Sequence, residues 1–177
     1  FNKKVDGIPY DGKYIFSEMG YNFLPSEISA AFALEQLKKL KQNINTRVKN
    51  FNKISKYFTK YENLFILPHE FKGLKTGWLA FPLIIRNQSK LVRKNLQIYL
   101  EKNGIQTRTI FTGNILRQPI MKSKFYKKCK DSTINSDNVM KNGILIGCHH
   151  GLSIKDINYM LSKFDLFFTK FKLKSIK

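Results

Sequence analysis

Apolar residues return at steps of three and four early in the chain: Ile28, Ala31, Leu34 and Leu37, then Ile44, Val48, Phe51, Ile54 and Phe58. That spacing puts them on one side of a helix, with the lysines falling mainly between them. Pro25-Ser26 opens the pattern, with Ser26 as N-cap and Glu27 placed to meet the positive end of the helix dipole. The predicted helix runs to about Tyr61 and buries one face along most of its length. About 35 residues would span roughly 50 Å, longer than a compact domain of this size is wide. The expectation is that the helix packs against something besides this domain.

Around that helix the pattern is shorter and more broken. Residues 1–24 read as a connecting arm, with turn chemistry at Gly7, Pro9 and Asp11-Gly12 and a short extended piece at Tyr14–Phe16. Trp78–Arg86 reads as a buried strand in which Pro82 argues for an edge or irregular position. A second helix starts at Ser89 or Lys90 and runs to about Asn103, with Leu91, Leu96 and Leu100 apolar and Gly104 as its stop. Ile105–Phe111 alternates as a strand, GILIGC (143–148) reads as a third strand, and Ser153 caps a last helix from Ile154 to about Phe168. The resulting partition is an arm (1–24), a long interdomain helix (25–62), a small α/β domain of α+β character (63–170) and a basic tail (171–177) expected to fray.

Composition changes this picture in one respect. The chain has 177 residues, 42% of them hydrophobic, enough for a real core, but it carries 32 Lys+Arg against 12 Asp+Glu, a formal charge of +20. Such a charge points to a polyanionic partner if it is striped along one face. Here it is scattered, in company with abundant Asn and Ile, as an AT-rich coding sequence produces without help from function. A solvated lysine surface is therefore the preferred reading and a nucleic-acid-binding domain the disfavoured one. The apolar stretch 77–85 is far shorter than the ~20 residues of a membrane helix, and no signal-peptide pattern follows Phe1. With only Cys129 and Cys148, in no C-x-x-C spacing, a reducing cytoplasm is expected.

The residues that can carry chemistry are few. No Gly-rich phosphate loop, paired carboxylates or nucleophile-and-base signature is present. Cys148-His149-His150 resembles part of a metal cluster but lacks further ligands, and a strand end entering a turn before Gly151 is the simpler reading. At Gly20-Tyr21-Asn22 a glycine permits close approach and an amide can donate to an anionic oxygen; a plain turn into the helix is the alternative. Thr107-Arg108 and the run GNILRQP (113–119) place Arg108 and Arg117 on either side of one loop, where a guanidinium fork suits phosphate or carboxylate.

Several stretches, in order, resemble the DegT/DnrJ/EryC1/StrS family of sugar aminotransferases and dehydratases: YDGKYIFSEMGYN, GYNFLPSEISAAFALEQLKKL, GWLAFPLII, GIQTRTIFTGNILRQP and NVMKNGILIGCHHGLS. The likeness runs nearly end to end. It is strongest to the nucleotide-sugar 3-dehydratases, the CDP-4-keto-6-deoxyglucose 3-dehydrases of lipopolysaccharide and dideoxysugar synthesis. There G-N-x-x-R-Q-P stands where aminotransferases usually carry a His-containing stretch. His149-His150 departs from the Tyr-Pro of relatives.

The resemblance implies the C-terminal small domain of a fold-type-I pyridoxal phosphate-dependent transferase, a long helix plus helices packed on a small sheet, in a homodimer about twice this length or more. It implies pyridoxal or pyridoxamine phosphate as cofactor and loss of the 3-hydroxyl from a CDP-4-keto-6-deoxyhexose. Gly20, Tyr21 and Asn22 would serve the cofactor phosphate of a neighbouring subunit; Arg108, Asn114, Arg117 and Gln118 would lie near substrate or that phosphate. The catalytic base would lie upstream, as would the ligands of any [2Fe-2S] cluster, which Cys129 and Cys148 do not match. An iron–sulfur flavoprotein reductase is the implied redox partner. By itself this segment is expected to be inactive. A sugar aminotransferase of the same family is the alternative.

Overall fold

The computed structural model describes residues 3–5, 8–10, 21, 23, 25–122 and 132–176. Lys3–Val5 (β1) and Ile8–Tyr10 (β2) pair antiparallel, with Val5 opposite Ile8. The extended piece expected at Tyr14–Phe16 lies outside the described residues. The long helix forms as α1, Glu27–Phe58, and a 3-10 turn at Thr59–Tyr61 carries the helical path to the predicted end. At its start the Ser26 carbonyl accepts from the Ala30 N–H at 3.0 Å, the first bond of the helical ladder.

Burial along α1 differs from the expectation. Asn50, Phe51, Ile54 and Phe58 are buried, whereas Ile28 is 84% exposed and Leu34 and Leu37 are also open. Periodicity specifies that apolar positions share a face; it does not specify what covers that face. The chain divides at the same region of the helix into two compact units, Phe1–Lys38 and Lys39–Lys177.

In the second unit Phe65–Ile66 (β3), Ala80–Ile85 (β4), Thr107–Arg108 (β5) and Gly143–Gly147 (β6) form one sheet of order β3-β4-β6-β5, every pair antiparallel. Helices Arg93–Lys102 (α2), Ile134–Asn142 (α3) and Ile154–Lys170 (α4) complete it, an α+β arrangement. Alternation in β4 buries Phe81, Leu83 and Ile85 beside Ile144 and Ile146 of β6. Pro82 occupies an interior strand facing Leu145 of β6. Because β3 reaches only Ile84 and Ile85, Pro82 has no ladder partner on the other side, and the missing N–H is tolerated there.

Phe58 sits at the centre of the core, its ring packed edge-on against Phe65 and Phe164 at 5.4 and 5.0 Å between centroids and alongside Phe81 at 5.8 Å. Two turns back, Phe51 stacks on Trp78 at 4.1 Å. These rings fasten the last turns of α1 to β4 and α4.

Other boundaries moved for identifiable reasons. α2 begins at Arg93, after a turn in which Ser89 Oγ accepts from the Leu91 N–H. It ends at Gly104 as expected: Gly104 has φ +72°, its N–H reaches Glu101 O, and the Ile105 N–H reaches Leu100 O, the paired bonds of a Schellman stop. The strand expected over Ile105–Phe111 shrinks to Thr107–Arg108, because the chain turns away where Phe111 takes φ +44°. α3 was not anticipated, its Asn- and Ser-rich sequence being a weak helix signal.

The tail is docked at its described residues, contrary to the expected fraying. The Ile176 N–H donates to Lys60 O at 2.8 Å, and Asn63 Nδ2 donates to Lys174 O at 2.9 Å. A second Schellman stop turns the chain there, with Lys172 at φ +52°, its N–H on Thr169 O and the Leu173 N–H on Phe168 O. Leu173 then packs against the core.

Candidate functional site

The run Gly113–Pro119 explains itself residue by residue. Gly113 has φ +65°, and a Cβ there would overlap Met140 of α3, so only glycine lets the loop lie on that helix. Asn114, 4% exposed, caps a 3-10 turn at Ile115–Arg117: its Oδ1 accepts from the Leu116 N–H at 3.0 Å. Gln118 Nε2 donates back to Thr112 O at 3.1 Å, closing the loop on itself.

Asp137 joins this loop to α3. It accepts from Arg117 Nε at 2.7 Å and Nη2 at 2.6 Å, one oxygen each, and its Oδ1 also accepts from Asn114 Nδ2 at 2.7 Å. The Arg117 guanidinium, then the Asn114 amide, pull the Asp137 carboxyl down to about 2. Arg93 holds the far end of α3, donating from Nη1 to Met140 O at 2.7 Å and Gly143 O at 3.3 Å. Asp137 and Arg93 were not singled out from sequence. A signal existed for the first: Asp131 and Asp137 are the only acids between Glu101 and Asp156, so Arg117 had few partners to choose from.

Arg108 stands elsewhere. It is the second residue of β5, whose start is fixed by Glu101 of α2, a carboxylate that accepts from the Thr107 backbone N–H and from its hydroxyl. Those bonds, the backbone one first, hold the Glu101 carboxyl below its ordinary range. Arg108 lines a cleft of about 570 Å³ with Gly147, His149, Leu152, Tyr159 and Met160, a size suited to a small-molecule ligand. Among the described residues it makes no ion pair, and the Tyr159 ring beside it is steadied by its hydroxyl on Asn103 O at 3.0 Å. The structure therefore brings Asn114 and Arg117 together around Asp137, keeps Gln118 in the same loop, and places Arg108 at a different cleft.

The Cys148-His149-His150 stretch is a strand end and a turn, and no group of three or more metal-ligating side chains occurs among the described residues. Burial pushes the Cys148 thiol up to about 12, so it stays protonated. His149 Nδ1 accepts from the Gly151 N–H, and His150 Nδ1 from Arg47 Nε, both at 3.2 Å. Asn50 of α1 anchors the turn through Nδ2 to His149 O and Leu152 O. Of the Gly20-Tyr21-Asn22 group, Gly20 and Asn22 lie outside the described residues, as does Cys129; Tyr21 is exposed.

The chain resembles known proteins in both sequence and structure. The chain is 30% identical to the lipopolysaccharide biosynthesis protein RfbH of Salmonella typhimurium, over 95% of this chain and 39% of that protein. It is 32% identical to a GDP-4-keto-6-deoxy-D-mannose 3-dehydratase of Escherichia coli O55:H7, over 89% of this chain and 41% of the relative. In structure it resembles the E. coli GDP-4-keto-6-deoxy-D-mannose-3-dehydratase solved with bound hydrated PLP, at a TM-score of 0.73 and 30% identity, covering 90% of this chain and 41% of that one. The chain thus spans about two-fifths of the length of these relatives. The model of the DegT/DnrJ/EryC1/StrS aminotransferase family matches residues 4–165, and the chain belongs to that family.

Proposed function

We propose that this chain is the part of a pyridoxal phosphate-dependent nucleotide-sugar 3-dehydratase that presents Arg108 and the Gly113–Pro119 loop to the substrate. The observation that carries the reading is the loop itself. It is a glycine-tight, Asp137-anchored turn that holds an exposed guanidinium, in a chain about 30% identical to such dehydratases. A guanidinium fork is matched to phosphoryl oxygens, and Arg108 supplies a second cation at its own cleft.

The residues of this chain fit the cofactor only in part. By residue type, the amide of Asn22 and a glycine at position 20 suit a phosphate oxygen, shared across a homodimer. His149 and Asp156 both line the Arg108 cleft, but His149 Nδ1 accepts from the Gly151 N–H and the Asp156 carboxylate is engaged by the Ser153 N–H and hydroxyl, so neither is offered to a cofactor's ring nitrogen there. The segment by itself is therefore expected to be silent. A cytoplasmic setting, a reductase partner and a role in lipopolysaccharide or deoxysugar synthesis belong to the same proposal.

The test is product analysis. Protein carrying this chain, supplied with pyridoxamine phosphate, a reductant and a nucleotide-linked 4-keto-6-deoxyhexose, is expected to yield a 3-deoxy sugar by mass spectrometry. A 4-amino sugar formed from an amino donor instead would assign it to the aminotransferase branch. Turnover by the 177 residues alone would overturn the view that they are silent.

A further inference from the structure

We propose that Asp137 is a positioning residue: it grips one edge of the Arg117 guanidinium and thereby aims the opposite edge at an anionic oxygen of the bound molecule. This rests on the reading of the Gly113–Pro119 loop as facing substrate.

The geometry is that of a fork held by its handle. Asp137 engages Arg117 through Nε and Nη2, one carboxylate oxygen to each, which fixes the guanidinium plane. The Nη1 hydrogens and the second Nη2 hydrogen are not used by the pair, and the Arg117 side chain is 62% exposed, so that edge is open to a ligand. An arginine left unheld would spread over many rotamers and lose that freedom only on binding; one held in advance loses less.

The holder is itself held. Asp137 lies in the first turn of α3, where its N–H donates to Thr133 O at 2.9 Å, and its carboxylate also takes the Asn114 amide, so the loop's cap and its arginine share one anchor. Arg93 at the other end of the helix and the close fit of Gly113 on Met140 keep loop and helix in register. Paired in this way, Arg117 contributes direction more than net charge. That sets it apart from the scattered lysines, which attract any anion.

The recognised chemistry is a phosphoryl oxygen, from a nucleotide diphosphate or from the cofactor phosphate. The experiment titrates inorganic pyrophosphate, GDP, CDP and pyridoxamine phosphate into protein carrying this chain at about 0.15 M salt, where non-specific attraction is screened beyond ~8 Å. Affinity is measured by titration calorimetry for wild type, D137N, R117A and R117A/D137N, with D137E as a longer carboxylate that keeps the charge, and in the variants that retain Arg117 its Nε–H resonance is followed by nitrogen-edited NMR. Circular dichroism confirms that each variant folds.

Expected is a ligand-induced shift at Arg117, an approximately tenfold weaker affinity in D137N, partial recovery in D137E, and a double variant no weaker than R117A. Pyridoxamine phosphate binding most tightly, with the same dependence on Asp137, supports the role and identifies the anion as the cofactor's. No shift at Arg117 with any of the four anions, an unaltered affinity in D137N, or additive losses in the double variant would overturn it. GDP or CDP binding that ignores D137N sinks the role of Asp137 and leaves the nucleotide-sugar reading standing. Asp137-dependent pyrophosphate binding with no preference for either nucleotide does the reverse.

Discussion

Gly113 and Lys172 solve the same backbone problem with different residues. Both adopt φ well above zero, at +65° and +52°, but the glycine has no Cβ to oppose it and the lysine does. A left-handed conformation costs an L-residue about 1–2 kcal/mol, and glycine offsets part of that gain by losing about 0.5–1 kcal/mol more chain entropy on folding. Lys172→Gly is therefore expected to stabilise the chain by about 0.5–1 kcal/mol, read as a higher urea midpoint at unchanged slope. Asp137 carries a pH signature. Its folded-state value of about 2 lies below the ordinary carboxylate value of about 4. The stability it contributes is full above about pH 4 and is lost as pH falls from about 4 towards 2. D137N should remove that part of the acid dependence, and unfolding curves between pH 5 and 2 check it. The run that Gly113 opens was legible in the sequence as a loop. The tie to Asp137 was not, because a pairing across 20 positions is made by the fold rather than by spacing.

At the scale of elements, α1 tests what amphipathicity means. Its apolar stripe was read correctly as to existence and length, and its start at the Pro25-Ser26 signal agrees with the first bond onto Ser26 O. Covering was another matter, since Phe58 is wholly buried while Phe32 is 67% exposed. Phe58→Ala should cost about 3–5 kcal/mol, because four aromatic neighbours lose their packing partner. Phe32→Ser should fall within about 0.5 kcal/mol of wild type. Equal losses for the two in chemical denaturation would show that the first half of α1 is covered in solution. α4 was the most legible element of all. Ser153 and Asp156 form the full capping box, Ser153 Oγ accepting from the Asp156 N–H and the Asp156 carboxylate from the Ser153 N–H. β5 and α3 were the least legible, one because two residues of alternation carry no usable period, the other because its polar residues also favour turns.

For the whole molecule the dominant quantity is the charge of +20, spread over a chain with three ion pairs among its described residues. Like charges repel in the compact state, and salt screens them. Raising sodium chloride from about 0.05 to 0.5 M is expected to raise the melting temperature; a fall would mean that the few ion pairs outweigh the general repulsion. The sequence by itself determined the long helix, the capped last helix, the glycine stop of α2, the strands around Phe81 and Ile144, and the family, because these rest on local spacing and on ordered motifs. The tertiary structure alone decided which part of the α1 stripe is buried, that Pro82 stands in an interior strand, and that the tail docks on Lys60 and Asn63. It also separated Arg108 at its cleft from Arg117 on its carboxylate. The physical reason is common to all four: each depends on groups far apart in the chain, whose encounter is decided by what the fold packs together and not by any period a sequence can carry.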